Sequence, residues 1–259
     1  MRRDIDEALH DWPYDPEPGE VSAREVRARD GRTVLQIRVE LGILQMEAEG
    51  RPDGTRPHGF ATYLDYLRYR SRSKSKRDRD RETGDPDWMM SPEHCDQVDR
   101  EFVQFYHRRI AWLALQHYDK ALRDADHTLA LMDFVISHGT NEEYISSHER
   151  FRGLVLFHRS QAAAALALER RKPDEAIDAV QEGMEKVLLH HQERTKHHSS
   201  ADLPTDHFVD QLRNLEHEIR KNFAVEKTLR EQLDEAVALE DYERAARLRD
   251  QIKARGSRR

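Results

Sequence analysis

Histidine is abundant in this chain, with 15 residues, and clustered histidines can bind metal ions. The densest group is His190, His191, His197 and His198. On a helix, His190 and His197 would share a face but lie two turns apart, whereas zinc ligands on one helix are usually four positions apart. We therefore expect a solvated polar segment here, with no metal site and no bound cofactor.

The single cysteine, Cys95, also has no partners that would suggest chemistry. Its neighbour His94 is a metal-ligand type, but no further ligand follows at metal-binding spacing. One cysteine cannot form a disulfide within the chain, and it suits a reducing compartment. We expect Cys95 to be structural or without a special role.

Short motifs that mark common catalytic sites do not occur in the sequence. There is no GxxxxGK[ST] phosphate loop, no GxGxxG, no GxSxG and no HExxH. Acidic pairs such as Glu142-Glu143 are ordinary helix-surface residues in a chain that is 36% charged. We therefore expect a non-enzymatic protein. The alternative, an enzyme with an unrecognised site, has only the segment GRPDGTRPHG at residues 50–59 in its favour.

Basic residues are concentrated in residues 68–81, RYRSRSKSKRDRDR. Arginine and lysine interleaved with serine could follow a phosphate backbone, while Tyr63, Tyr66 and Tyr69 could stack on bases. The other interpretation is a solvated flexible linker, partly neutralised by Asp78 and Asp80. The formal charge of −7 argues against a protein that coats nucleic acids generally. The candidate nucleic-acid contacts are Arg68, Arg70, Arg72, Lys74, Lys76 and Arg77.

The most specific pattern lies in residues 228–257, TLREQLDEAVALEDYERAARLRDQIKARGS. Apolar residues recur at spacings of three and four in two short stretches, which predicts two amphipathic helices. Between them, Glu240 and Asp241 supply a side chain that can cap the second helix, and Glu243 places a carboxylate at its positive end. The segment is therefore predicted to be a helical hairpin.

This hairpin resembles the UVR motif, which is shared by the UvrB and UvrC excision-repair proteins. The resemblance is carried by Leu229, Leu233, Ala236-Val237, residues 240–243, Ala245-Ala246, residues 248–250 and Ile252. In that family the hairpin pairs with another hairpin in a small antiparallel four-helix assembly. The resemblance therefore implies a protein partner, either one with a UVR-like hairpin or a second copy of this chain.

Two helices of about three turns each are marginal alone in water, so something must cover their apolar face. The cover could be a partner, or the hairpin could pack on its own preceding helix as a C-terminal lid. In the docking interpretation, apolar side chains supply buried area and Arg249 pairs with an acidic residue of the partner. The predicted partner-binding residues are Leu233, Val237, Tyr242, Ala245, Ala246, Arg249 and Ile252.

The N-terminal region has the two-residue period of β-strands. Alternation over residues 26–39 surrounds the turn signal Asp30-Gly31, and Leu41-Gly42 permits a second reversal. We predict a three-stranded antiparallel meander, with the following helical segment, including Phe60 and Leu64, as its cover. The segment GILQMEAEGRPDG is similar to the N-terminal block of bacterial UVR-motif proteins.

From Ser91-Pro92 onward the pattern is helical, with serine as N-cap and proline at the first helical position. Residues 117–135 and 162–187 resemble tetratricopeptide repeats, in which small residues let helices interdigitate. The two stretches lie farther apart than the 34-residue repeat of that family, so a helix over residues 142–170 would be elongated. An ordinary helical bundle is the alternative. The small residues concerned are Ala121, Ala164, Ala176 and Gly183.

The segment before the hairpin is predicted to be one long helix, because apolar residues from Phe208 to Phe223 step by three and four. No proline or glycine separates Phe223 from Leu229. We therefore expect this helix to run straight into the hairpin.

Together these patterns predict a mainly α protein, with a helical scaffold, a C-terminal helical hairpin and a small N-terminal antiparallel β-meander. The expected parts are a small α+β unit (1–70), a basic flexible linker (71–90), a tetratricopeptide-like scaffold (91–200), and a long helix with the hairpin (201–259). No stretch has the ~18 apolar residues that span a bilayer, so we expect a cytoplasmic protein without membrane contact. The expected function is a protein-interaction adaptor. The alternative is an accessory factor of nucleotide excision repair that associates with DNA through the basic linker.

Overall fold

The computed structural model describes residues 5–14, 20–72, 88–197 and 205–256. The strands are β1 (Ala23–Arg27), β2 (Thr33–Val39) and β3 (Gly42–Glu47), and a 3₁₀ turn covers Pro57–Gly59. The helices are α1 (Asp6–His10), α2 (Tyr63–Arg72), α3 (Pro92–Ala114), α4 (Tyr118–His138), α5 (Glu142–Glu149), α6 (Arg152–Glu169), α7 (Pro173–His197), α8 (Thr205–Phe223), α9 (Leu229–Ala238) and α10 (Tyr242–Gly256). The predicted fold class is confirmed.

The three strands form an antiparallel sheet in the order β1-β2-β3. Leu35 and Ile37 lie two positions apart on β2 and are buried, and Met46 pairs with Leu35 from β3. We expected α2 to cover this sheet. In the structure, α3 lies next to β1 and β2 instead. The buried residues of α2 pack with residues of α3 and α4.

Buried polar side chains attach α2 and the β3 end to α3. The carboxylate of Glu101 accepts hydrogen bonds from the backbone N–H groups of Tyr63 (2.6 Å) and Leu64 (3.1 Å), the first two residues of α2. Those N–H groups have no partner inside the helix, and a negative charge at this end is favourable. Glu101 therefore fixes the start of α2.

Arg108 of α3 is buried and joins three parts of the chain. Its guanidinium makes two hydrogen bonds to the carboxylate of Asp124 on α4, at 2.7 and 2.8 Å. It also donates to the carbonyls of Glu47 (3.1 Å) and Gly50 (2.7 Å), where β3 ends. One side chain thereby positions the loop that follows the sheet.

The chain divides into two compact units, residues 1–155 and 156–259. This division differs from the expected one, in which boundaries fall at residues 71–90 and near residue 200. Helices α2 and α3, on either side of the expected linker, belong to the same unit and pack together. Residues 73–87 of that linker lie outside the described residues.

The expected elongated helix over residues 142–170 is wrong, because the chain breaks into α5 and α6 at residues 150–151. Side chains on both sides of this break contact the ring of Phe102 on α3: His148 lies edge-on to it and Phe151 is tilted against it. His148 also pairs with Asp99 of α3 at 3.1 Å. Tertiary contacts, which leave no local sequence signal, therefore hold the turn.

Small residues do lie at helix contacts in the middle region. Ala121, Ala164 and Ala176 are buried, and a Cβ at Gly183 of α7 would overlap the hydroxyl of Ser160 on α6. This packing fits a tetratricopeptide-like scaffold and an ordinary bundle equally well, so the repeat class stays a prediction.

The expectation that one helix runs from Phe208 into the hairpin is also wrong. Helix α8 ends at Phe223, and Ala224 has a left-handed φ of 51°. The N–H of Val225 then donates to the carbonyl of Arg220 at 3.1 Å, which satisfies an end carbonyl of the helix. Within the described ranges, no helix is both long and apolar enough to cross a membrane.

Candidate functional site

The C-terminal hairpin is built from α9 and α10, which pack against each other through small and aliphatic side chains. Ala236, Ala245 and Leu248 form its buried interior, with Leu229 and Leu233 packed at the side. Because alanine adds little bulk, the two helix backbones can approach closely at Ala236 and Ala245. The interior is thus closed by the hairpin itself.

The turn between the two helices has a defined hydrogen-bonded geometry. Glu240 adopts a left-handed φ of 57°, and the N–H of Asp241 donates to the carbonyl of Ala236 at 2.8 Å. The Asp241 carboxylate then accepts from the N–H of Arg244 at 3.0 Å, near the start of α10. The predicted cap in the Glu240-Asp241 pair is confirmed, and Asp241 is the residue that makes it.

The base of the hairpin begins with a capping box. The Thr228 hydroxyl accepts from the N–H of Glu231 at 3.2 Å, and the Glu231 carboxylate accepts from the N–H of Thr228 at 2.7 Å. Each side chain satisfies a backbone donor that the helix leaves unpaired. Thr228 is completely buried, so this end of α9 is held in place.

Polar side chains of α7 and α8 hold the same base. The Thr228 hydroxyl donates to the Asp178 carboxylate at 2.9 Å, and Gln181 donates to Glu231 at 2.9 Å. Arg220 bridges Glu231 (2.5 Å) and Glu216 (2.7 Å). The hairpin is therefore anchored at its base to the α7–α8 pair.

This network shifts the pKa values of two carboxyl groups, those of Asp178 and Glu231. Burial raises the pKa of Asp178, although the Thr228 hydroxyl partly opposes the shift. Burial also disfavours the charged form of Glu231, but hydrogen bonds from Gln181, Thr228 and Arg220 outweigh it and lower the pKa of Glu231. Glu231 therefore stays ionised beside Arg220.

The opposite end of the hairpin exposes apolar side chains. Val237 is 51% exposed, Leu239 68% and Tyr242 68%. All three lie within six positions around the turn. We call Val237, Leu239 and Tyr242 the hairpin tip. A single exposed apolar side chain is unremarkable, but three within six positions make the tip a candidate interaction surface.

The structure divides the predicted partner-binding residues between the interior and the surface of the hairpin. Leu233 and Ala245 contribute to the interior, and Ala246 and Ile252 are half-buried. Val237 and Tyr242 belong to the tip, while exposed Arg249 lies 3.5 Å from Asp250 of the same helix. Sequence reasoning missed Leu239; an apolar residue directly before the Glu240-Asp241 turn was the available signal.

Three of the predicted nucleic-acid contacts, Arg68, Arg70 and Arg72, are exposed on the last turns of α2. The other three, Lys74, Lys76 and Arg77, lie outside the described residues. Among the tyrosines considered for base stacking, Tyr69 is exposed, Tyr66 is half-buried and Tyr63 is buried. In the described part of this region, Arg68 and Arg72 share one face of α2, whereas Arg70 lies on another, because residues two positions apart on a helix do not face the same way.

The C-terminal segment is thus a hairpin of two helices joined by a tight turn. Residues 227–254 match the family model described as the UvrB/uvrC motif (UVR), so the chain carries a UVR motif in about a tenth of its length. The matched span begins just before Thr228 and covers α9, the turn and most of α10. Comparison with curated proteins and with solved structures found no match.

Proposed function

We propose that this protein is a non-enzymatic cytoplasmic adaptor that binds another protein through the hairpin tip. The observation that carries this proposal is the exposure of Val237, Leu239 and Tyr242 on a hairpin whose base is fixed. A held base keeps the tip in one orientation, so little ordering entropy is lost on binding. The match to the UVR motif, which mediates protein interactions, agrees with this role.

The apolar side chains of the tip indicate the kind of partner that it would bind. A second hairpin with an apolar tip could bury all three side chains, and full burial of one large apolar side chain contributes about 1.5–3 kcal/mol. Arg249 is exposed and can pair with a carboxylate of the partner, such as one matching Asp250 or Glu240. We therefore expect the partner to be a protein with a UVR-like hairpin or a second copy of this chain.

The proposal is tested by removing apolar surface from the tip without disturbing the hairpin interior. In the variant Val237→Ser/Tyr242→Ser, both substituted side chains are exposed, so the fold should persist. Self-association by light scattering and capture of a purified UVR hairpin should both be compared with wild type. We expect at least one of these affinities to be detectable in wild type and to fall about tenfold or more in the variant.

A matched control removes the same kind of surface elsewhere. Val103 and Ile136 are exposed to a similar degree on α3 and α4, so Val103→Ser/Ile136→Ser should leave both affinities unchanged. Equal binding by wild type and both variants, or no binding by wild type in either assay, would contradict the proposed function.

A second candidate function is favoured by the exposed arginines of α2. In this version the protein is an accessory factor of excision repair that contacts DNA through Arg68, Arg70, Arg72 and the basic residues that follow. DNA affinity should then fall steeply with salt, since phosphate contacts release counterions. Binding that survives deletion of residues 68–81, or no binding at low salt, would exclude this candidate.

A further inference from the structure

A cleft of about 620 Å³ lies in the N-terminal unit, far in sequence from the hairpin. Its walls come from the loop after β3 (residues 51–58), from α2, and from the first turns of α3. The loop is the segment GRPDGTRPHG, whose sequence suggested an unrecognised site. Arg108 holds the base of this loop through the carbonyls of Glu47 and Gly50, so the cleft has a fixed wall.

Arg51, which lines this cleft, is a buried cation with unused hydrogen-bonding capacity. The residue is only 4% exposed, and its Nη1 donates to the Thr55 hydroxyl at 3.3 Å. Its buried Nε and Nη2 have no hydrogen-bond partner within the described parts of the chain. Buried donors are nearly always satisfied in proteins, and an unsatisfied one is costly, so a ligand oxygen that the side chain reaches by turning toward the cleft is a natural partner.

Two carboxylates lie near Arg51, but other donors already occupy them. The nearest oxygens of Asp53 and Glu101 are each 3.5 Å from Nε, too far for a good hydrogen bond. Asp53 accepts from the Thr55 N–H and hydroxyl and from Gln104. Glu101 accepts from two backbone N–H groups of α2 and contacts His127 at 3.0 Å.

Two further residues that line the cleft can donate hydrogen bonds without carrying charge. The Nδ1 atom of His94 accepts from the N–H of Ser91 at 2.9 Å, so the neutral ring carries its proton on Nε2. Burial lowers the pKa of His94, and the charge of Arg70 lowers it further. Burial raises the pKa of Tyr63 to about 12, so its hydroxyl keeps its proton at neutral pH.

We propose that this cleft binds a small molecule through an oxyanion group, a phosphate or a carboxylate, which Arg51 holds together with Tyr63 and His94. Arginine suits this role because its planar fork matches both groups. Three arginines (Arg51, Arg56, Arg100) and three carboxylates (Asp53, Glu93, Asp96) line the cleft, so its net charge favours neither sign. Asp53 and Glu101 also offset the charge of Arg51, and the preference for an anion therefore rests on the unsatisfied donors of Arg51.

One wall of the cleft also suits a ring-bearing ligand. The His58 and Tyr66 rings are stacked, with centroids 3.9 Å apart and an angle of 22° between their planes. Such a pair offers a flat face on which a further ring can stack. A ligand that joins an oxyanion to an aromatic ring would use both features, so it should bind more tightly than the simple anion.

The test is calorimetric titration of the full chain with three probes: inorganic phosphate, adenosine monophosphate and benzoate. Sodium chloride at matched ionic strength serves as the reference. We expect saturable one-to-one binding of at least one probe. Adenosine monophosphate against benzoate, which both carry a ring, compares the two oxyanions, and phosphate against adenosine monophosphate tests the effect of the ring. The variant Arg51→Gln should weaken that binding by about tenfold or more, because it removes a charge-assisted hydrogen bond.

Controls separate loss of the site from loss of the fold. Arg27 is an exposed arginine of β1 that does not line the cleft, so Arg27→Gln should bind like wild type. If Arg51→Gln does not fold, as judged by circular dichroism, Tyr63→Phe removes only one hydroxyl and should still weaken binding several-fold. No saturable binding of any probe, or equal affinity in all folded variants, overturns the proposal. Neither result depends on the hairpin.

Discussion

At the scale of single residues, the N-terminal unit depends on charged groups that are buried in pairs. Arg108 and Asp124 are both almost fully buried and make two hydrogen bonds to each other. Removing one member of such a pair leaves the other charge without compensation in a region of low polarity. The same helix carries Glu101, whose carboxylate accepts hydrogen bonds from the first two N–H groups of α2. Sequence periodicity identifies none of these links, because each depends on contacts between distant residues.

The variant Arg108→Ala should destabilise the protein strongly. It removes both hydrogen bonds to the buried Asp124, for which the longer contact with Arg123 (3.9 Å) is a weak substitute, and it removes the donors to Glu47 and Gly50. We therefore expect a loss of about 3–5 kcal/mol in the free energy of unfolding. Urea denaturation measures the change. The control Arg27→Ala removes an exposed hydrogen bond to the Gly31 carbonyl in the same unit and should cost about 1 kcal/mol or less. Similar losses in the two variants would contradict this account.

His94 should make stability depend on pH. Burial, followed by the charge of Arg70, holds its folded-state pKa below the usual value near 6.5, with Glu93 acting in the opposite direction. Below pH ~6.5 the unfolded chain therefore binds more protons, and the free energy of unfolding falls as pH decreases through this window. Burial lowers the pKa of His107 as well, so that residue adds to the same slope.

The variant His94→Gln removes one contribution to this slope and keeps the cap, since glutamine at this position can accept from the N–H of Ser91. We expect denaturation series from pH 7 to pH 5 to show a smaller decrease in stability for His94→Gln than for wild type. An unchanged slope would mean that His94 titrates alike in the folded and unfolded states.

At the scale of elements, local sequence signals predict the starts and turns of several segments. The Ser91-Pro92 helix start, the Asp30-Gly31 turn and the Asp241 cap are all present. Local signals do not predict the end of α8, because Ala224 takes a left-handed conformation that usually belongs to glycine. The sequence nevertheless contains a sign of the break, since Thr228 and Glu231 have the spacing of a capping box.

Thr228 should be important for anchoring the hairpin. Thr228→Ala removes the cap of α9 and the hydrogen bond to Asp178. We therefore expect the free energy of local opening of α9 to fall by about 1–2 kcal/mol. Amide hydrogen exchange across α9 reports this change. Thr228→Ser keeps the hydroxyl and should stay close to wild type. Unchanged exchange in Thr228→Ala would show that the hairpin base is held by other contacts.

At the scale of the whole molecule, the grouping of elements was the least predictable feature. Residues 1–155 form one compact unit and residues 156–259 the other, whereas composition suggested boundaries at the charged and polar stretches. The two groupings differ most at α2, which packs Leu64 and Leu67 with residues from both α3 and α4. The UVR hairpin was predictable since its signals are local, and a contact with the preceding helix, α8, was one of the two alternatives. The anchoring of its base by α7 was not predicted.

The two proposed binding sites lie in different units: the cleft at Arg51 in residues 1–155, and the hairpin tip in residues 156–259. Each site is formed entirely by residues of its own unit. Variants of one should therefore leave the other unchanged, which lets the adaptor function and the oxyanion site be tested separately.

Site-specific photo-crosslinking from the hairpin tip tests the adaptor function most directly. Tyr242 is replaced by p-benzoylphenylalanine in the full chain expressed in its native cell, and Ile136 carries the same probe as the control. Both side chains are exposed in the structure. We expect a light-dependent adduct from position 242, containing a UVR-like hairpin protein or a second copy of this chain, and no such adduct from position 136. No adduct from position 242, or the same adducts from both positions, would contradict docking through the tip.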